Sequence, residues 1–230
     1  KEAPLEEAVD YARRFCYEEY IPFLLQPARL SLSQQNAFYQ KLAHLIGLPE
    51  STVRRYCGRF DENLYTAEFF APERKVLGGL DTRYFGDLSA LIRKREDPSY
   101  RDMQGAWCAF NAYLQEELES LDPLFPYISY SRAYWDFSSY DSYSWPDVFQ
   151  RVRRTLVYNP SMKIFSGSGY YDCRTPFAAT EYCFDHLELP PSYRSSLYFK
   201  YYPAGHGFIF DLPSLQQLKT DLVEFYTQIR

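Results

Sequence analysis

Met162-Lys163-Ile164-Phe165-Ser166 runs into Gly167-Ser168-Gly169-Tyr170-Tyr171-Asp172, and further on Ser196-Leu197-Tyr198-Phe199-Lys200-Tyr201-Tyr202 runs into Pro203-Ala204-Gly205-His206-Gly207. Each stretch reads as a short strand, over 162–166 and 196–202, feeding a glycine-containing loop. A helix pattern follows each loop, over 176–187 and 213–229, and another precedes them over 147–158. Strands alternating with helices at this period predict an α/β layer with parallel strands.

Asp172 and His206 then occupy equivalent places, each just past the carboxyl end of a strand and one strand–helix–strand unit apart. Reactive groups of open α/β sheets gather at that edge. A carboxylate against one imidazole nitrogen fixes the tautomer and leaves the other nitrogen to take a proton from a hydroxyl. The ordinary structural roles are an Asp capping the next helix and a His in a glycine turn. The order acid then histidine is that of α/β-hydrolases, whose nucleophile lies upstream on a G-x-S-x-G turn. No G-x-S-x-G occurs in these 230 residues.

Two strands do not make a stable sheet, and parallel strands are normally covered on both faces. The expected fold is therefore an α/β layer whose sheet is incomplete here, the rest coming from residues not present in this sequence or from another chain. The chain starts at Lys1 within an amphipathic pattern, without an initiator Met or signal-like stretch, and reads as part of something longer.

Upstream, residues 1–146 read as a mainly helical region ahead of the 147–230 strand–helix units. Ala37, Phe38, Leu42, Leu45 and Ile46 share a helix face, with Ser31 or Ser33 as cap and Gly47 as a left-handed stop. A shorter helix follows Pro49 and ends at Gly58, and another spans 61–71 with Asp61 as cap. Residues 75–86, with Gly78, Gly79 and Gly86, read as a looping connection. The next helix has Asp97 as cap, Pro98 in the first turn, and Met103, Ala106, Trp107, Phe110, Tyr113, Leu114 and Leu118 as a stripe to be buried. Pro123, Pro126 and Pro146 then enclose an irregular connector holding Tyr127, Tyr130, Tyr134, Trp135, Phe137, Tyr140, Tyr143 and Trp145.

Composition narrows the function classes. With 25 basic and 30 acidic residues the formal charge is −5, which argues against a phosphate-backbone partner such as nucleic acid. An apolar share of 46% excludes disorder, and the apolar runs are far too short to span a membrane. No repeat indicates a solenoid. The five cysteines follow no metal spacing, and His44, His186 and His206 form no paired ligand motif. No phosphate loop is present, since Gly167-Ser168-Gly169 lacks the third Gly and the Lys, so neither metal nor cofactor is expected. Tyr 23, Phe 18 and Trp 3 make 19% aromatic residues, which suits a lined cleft or an interface.

A family resemblance enters at the same residues. Asn159-Pro160 with Met162-Lys163-Ile164-Phe165, Gly169-Tyr170-Tyr171-Asp172, Thr175-Pro176-Phe177, Thr180-Glu181-Tyr182 and Phe184-Asp185-His186-Leu187 resembles the bacterial branch of the serine carboxypeptidases, peptidase family S10. Tyr201-Tyr202-Pro203-Ala204-Gly205-His206 resembles its histidine motif, and Pro213-Ser214-Leu215 with Leu218-Lys219 and Asp221-Leu222 its last helix. More loosely, Gly47-Leu48-Pro49, Gly58-Arg59, Gly79-Leu80-Asp81 with Arg83, Asp97-Pro98-Ser99-Tyr100 and Phe110-Asn111 with Tyr113-Leu114 extend it upstream.

The resemblance implies that the chain is the C-terminal portion of an α/β-hydrolase fold, its sheet incomplete, with a mainly helical cap or insert region, in an enzyme that removes C-terminal residues from peptides. Asp172 and His206 would be the acid and base partners of a serine in the missing N-terminal half, and the early helices would form the insert that roofs the site. Export to the periplasm or medium is implied in the same way. Many members have Met after the histidine, lining the pocket for the leaving residue; Gly207 stands here, so substrate preference does not carry over. The alternatives are an acyltransferase with the same triad, and a non-catalytic module that binds a peptide or protein through residues 127–145.

Overall fold

The computed structural model describes residues 4–89, 97–119 and 148–228. The chain divides into two compact units, Lys1–Val76 and Leu77–Arg230. The boundary expected at 146 lies outside the described residues, as does the aromatic segment 127–145. The structural division falls much earlier, because residues 79–83 hydrogen-bond to loops of the C-terminal unit.

The first unit is helical: α1 (Leu5–Phe15), a π-helical turn (Cys16–Tyr20), α2 (Ile21–Leu25), α3 (Leu32–Ile46), α4 (Glu50–Arg55) and α5 (Glu62–Phe69). Phe15, Phe23, Phe38, Leu42, Ala43, Leu48 and Val53 form its core, with the rings of Phe23 and Phe38 stacked at 3.6 Å. Helix α3 is delimited as its sequence suggests. Ser31 accepts from the Gln34 N–H and the Gln34 side chain reaches back to the Ser31 N–H, a reciprocal cap, and Gly47 ends the helix at φ 71°. Asp61 caps α5 by accepting from the Leu64 N–H at 2.7 Å.

Strands β1 (Lys75–Leu77) and β2 (Phe85–Asp87) are three residues each, followed by α6 (Tyr100–Glu116). Two expectations for α6 need correction. Asp97 does not cap it; its carboxylate accepts from the backbone N–H groups of Gly79, Leu80 and Ser99, and Ser99 occupies the cap position with its side chain turned to Asp81 rather than to the helix N–H groups. The stripe expected to be buried is not enclosed where it is described, since Phe110, Tyr113 and Leu118 are exposed and Ala106 and Leu114 are half-buried.

The C-terminal elements follow the predicted alternation: α7 (Phe149–Tyr158), β3 (Ile164–Gly169), α8 (Phe177–Asp185), β4 (Leu197–Tyr202) and α9 (Leu212–Gln228). β3 and β4 pair in parallel, with Ile164 opposite Leu197 and Gly169 opposite Tyr202. Side chains alternate across this layer. Phe165 and Tyr198 meet Phe225 of α9, while Phe199 meets Phe184 of α8 and Tyr201 meets Phe177. The fully buried Tyr202 donates to Asp221 of α9 at 3.0 Å. The molecule is thus mixed α/β, and among the described residues the parallel sheet has two strands. None of the five cysteines is in a disulfide.

β3 extends through Gly167-Ser168-Gly169, read above as loop. Those glycines serve close approach: a Cβ on Gly169 would collide with the carbonyls of Ala204 and Gly205, and one on Gly167 would crowd the rings of Phe208 and Tyr202.

The reciprocal cap separates two neighbouring serines. Ser31→Ala is expected to cost about 1 kcal/mol in urea denaturation, whereas Ser33→Ala, on an exposed helical position, is expected to stay within about 0.5 kcal/mol.

Candidate active site

The parallel register brings the ends of β3 and β4 level. Beyond the strands the ladder continues, with the Tyr170 N–H donating to the Tyr202 carbonyl at 2.9 Å and the Tyr171 N–H to the Ala204 carbonyl at 3.0 Å. Asp172 follows directly on one of these paired segments, and His206 follows the other after Gly205.

Asp172 Oδ2 lies 2.8 Å from His206 Nδ1. The carboxylate is nearly enclosed, its side chain 5% exposed, whereas the imidazole is 43% exposed. Asp172 Oδ1 accepts from the backbone N–H groups of Arg174 at 2.8 Å and Thr175 at 3.0 Å, folding residues 172–175 into a tight turn ahead of α8. The Thr175 hydroxyl donates to Oδ2 at 2.6 Å. Its single proton is thereby committed, so the same oxygen, 3.1 Å from Nδ1, can only accept from the ring.

Burial raises the carboxyl's proton affinity, but the bonds from His206 and Thr175 outweigh it and hold Asp172 below its ordinary value. His206 moves the other way: the bond to Asp172 raises it, against a smaller opposing effect of burial. An ionised carboxylate only accepts, so Nδ1 carries the proton and the neutral ring has its lone pair on Nε2. That nitrogen makes no hydrogen bond to the described residues. The arrangement is an oriented base whose protonated form is stabilised by a buried anion.

The two residues singled out by their place after strands are therefore brought together. Thr175, which the sequence offers only within Thr175-Pro176-Phe177, carries as its signal the Asp-x-x-Thr spacing of a local side-chain turn. His186, the other histidine of the C-terminal unit, ends α8, where its Nδ1 lies 2.7 Å from the Tyr182 carbonyl. Among the described residues no group of three or more His, Cys, Asp or Glu side chains is placed to hold a metal ion. A cavity of about 320 Å³ opens beside Gly207, lined by Leu80, Asp81, Arg83, Tyr84 and Phe210 among others.

No family model matches the chain, and comparison with curated proteins and with solved structures gives no significant match. Among the described residues no helix is long and apolar enough to cross a membrane.

The pH dependence of stability follows from the two directions. His206, raised above 6.5, adds stability that is complete below 6.5 and lost as pH climbs through its folded value. Asp172, lowered below 3.8, adds stability present above 3.8 and lost as pH falls through its folded value. Asp172→Asn is therefore expected to lose more denaturation free energy at about pH 5.5 than at about pH 9; equal losses at both contradict the ionic pair.

Proposed function

We propose that the chain is the C-terminal part of an α/β-hydrolase of the serine carboxypeptidase type, with Asp172 and His206 as the acid and base of a Ser–His–Asp triad. The observation that carries this reading is the 2.8 Å contact between Asp172 Oδ2 and His206 Nδ1 at the carboxyl ends of adjacent parallel strands. The serine belongs to residues outside these 230.

Nε2 of His206 takes the serine hydroxyl proton as the serine oxygen bonds to the peptide carbonyl carbon. The imidazolium formed is paired with Asp172, and it returns the proton to the departing amine as the C–N bond breaks. Water then enters by the same proton path in reverse and hydrolyses the acyl-enzyme. Thr175 keeps Oδ2 turned toward the ring throughout.

The exposed apolar surface around the sheet supports an incomplete structure. Val157 and Tyr158 of α7, Ile209 and Phe210 after β4, and Leu212, Leu215, Val223 and Tyr226 of α9 are all exposed. Further strands and helices of the same protein are their natural cover. The peptide substrate and the missing N-terminal half are the partners this reading requires.

In the intact protein, hydrolysis of an N-blocked dipeptide is expected, with kcat falling about four orders of magnitude in His206→Ala. The acidic limb of the pH–rate profile is expected above 6.5, because the base must be neutral and its affinity for the proton is raised. Full activity in His206→Ala overturns the proposal. The 230-residue chain alone is expected to show no turnover.

A further inference from the structure

Five consecutive residues, 79–83, each make one hydrogen bond to the loops that carry the acid and the base. On the acid side, the Gly79 carbonyl accepts from the Cys173 N–H at 3.0 Å and the Thr82 N–H donates to the Tyr171 carbonyl at 3.0 Å. These are the two residues flanking Asp172. On the base side, the Leu80 carbonyl accepts from the His206 N–H at 2.6 Å and Asp81 Oδ2 from the Gly205 N–H at 3.0 Å. Arg83 Nη1 donates to the Pro203 carbonyl at 3.0 Å.

The segment that grips both loops is itself held. Arg83 forks onto Asp81, Nη2 to Oδ2 at 2.7 Å and Nε to Oδ1 at 3.0 Å, and stands over the Tyr171 ring. The Asp81 N–H donates to Ser99 Oγ, and the buried Asp97 carboxylate accepts from the Gly79 and Leu80 N–H groups. The fit is close, since a Cβ on Gly205 would run into the Asp81 side chain and the Leu80 carbonyl.

Glycines at 205 and 207 leave the histidine loop free to adopt many conformations, while a hydrogen bond tolerates only a few tenths of an ångström. Something outside the loop must select one conformation. We propose that residues 79–83 are a template that fixes the separation of Asp172 and His206 through backbone contacts, with Asp81 and Arg83 as its positioning residues. Neither side chain needs to touch the imidazole to do so. The role of the template in catalysis rests on the triad reading; its effect on the pair's geometry does not.

Asp81→Ala and Arg83→Met separate positioning from a direct field, because they remove charges of opposite sign. A through-space effect moves the His206 titration midpoint down in the first and up in the second. Loss of positioning lengthens the bond to Asp172 and moves it down in both. With histidine-labelled protein followed by NMR, the midpoint is expected to fall by about 0.5 pH or more in each variant. Asp221→Asn, which disturbs the buried bond to Tyr202, is expected to leave it in place. Shifts of opposite sign, no shift in either variant, or an equal shift in Asp221→Asn overturn the template. If Asp81→Ala does not fold, Arg83→Met decides, since a downward shift there opposes its own charge effect. The midpoint is read without turnover, so failure here is distinct from an active His206→Ala enzyme.

Discussion

The parallel register of β3 and β4 is the constraint on which the rest of the C-terminal unit depends. It sets Gly169 beside Tyr202 and so makes the two following loops start at the same height. From there a carboxylate and an imidazole on residues distant in sequence need only a few backbone bonds to meet. A slip of one register position would separate Asp172 from His206 by a residue's length and put Phe165 and Tyr198 on opposite faces of the layer, so that they no longer share Phe225 of α9. The aromatic packing on the two faces of the layer thereby also protects the Asp172–His206 pair at its edge.

Asymmetric burial gives the pair its character. The enclosed carboxylate is kept ionised, against its burial, by His206 first and then by Thr175 and its backbone N–H, and the ring is anchored on one side and open on the other. Either feature alone would be ordinary: a satisfied Asp in a turn, or a surface His. Their combination produces a nitrogen of raised basicity with a fixed direction.

The elements that have a period are the ones legible in the sequence. The strand–helix alternation after residue 147 and the capped helix α3 are legible because alternation of side chains and cap chemistry are local. Asp172 and His206 were legible for the same reason, as loop residues after strands. Contacts between distant segments were not. Asp97 looks like a helix cap because it precedes Pro98, yet its partners are Gly79 and Leu80. Residues 79–83 look like a connection because glycines carry no pattern, and the bond from Gly205 to Asp81 spans 124 positions. Gly167-Ser168-Gly169 suggests a loop by propensity, although close approach of the Ala204 and Gly205 carbonyls is what excludes side chains there.

The most direct test is the tautomer of the neutral His206 ring, read from its two nitrogen-15 shifts in labelled protein above its titration midpoint. The bond to Asp172 requires a proton on Nδ1 and a bare Nε2, with that preference lost in Asp172→Ala. A proton on Nε2, the form that a free histidine side chain favours, would contradict it.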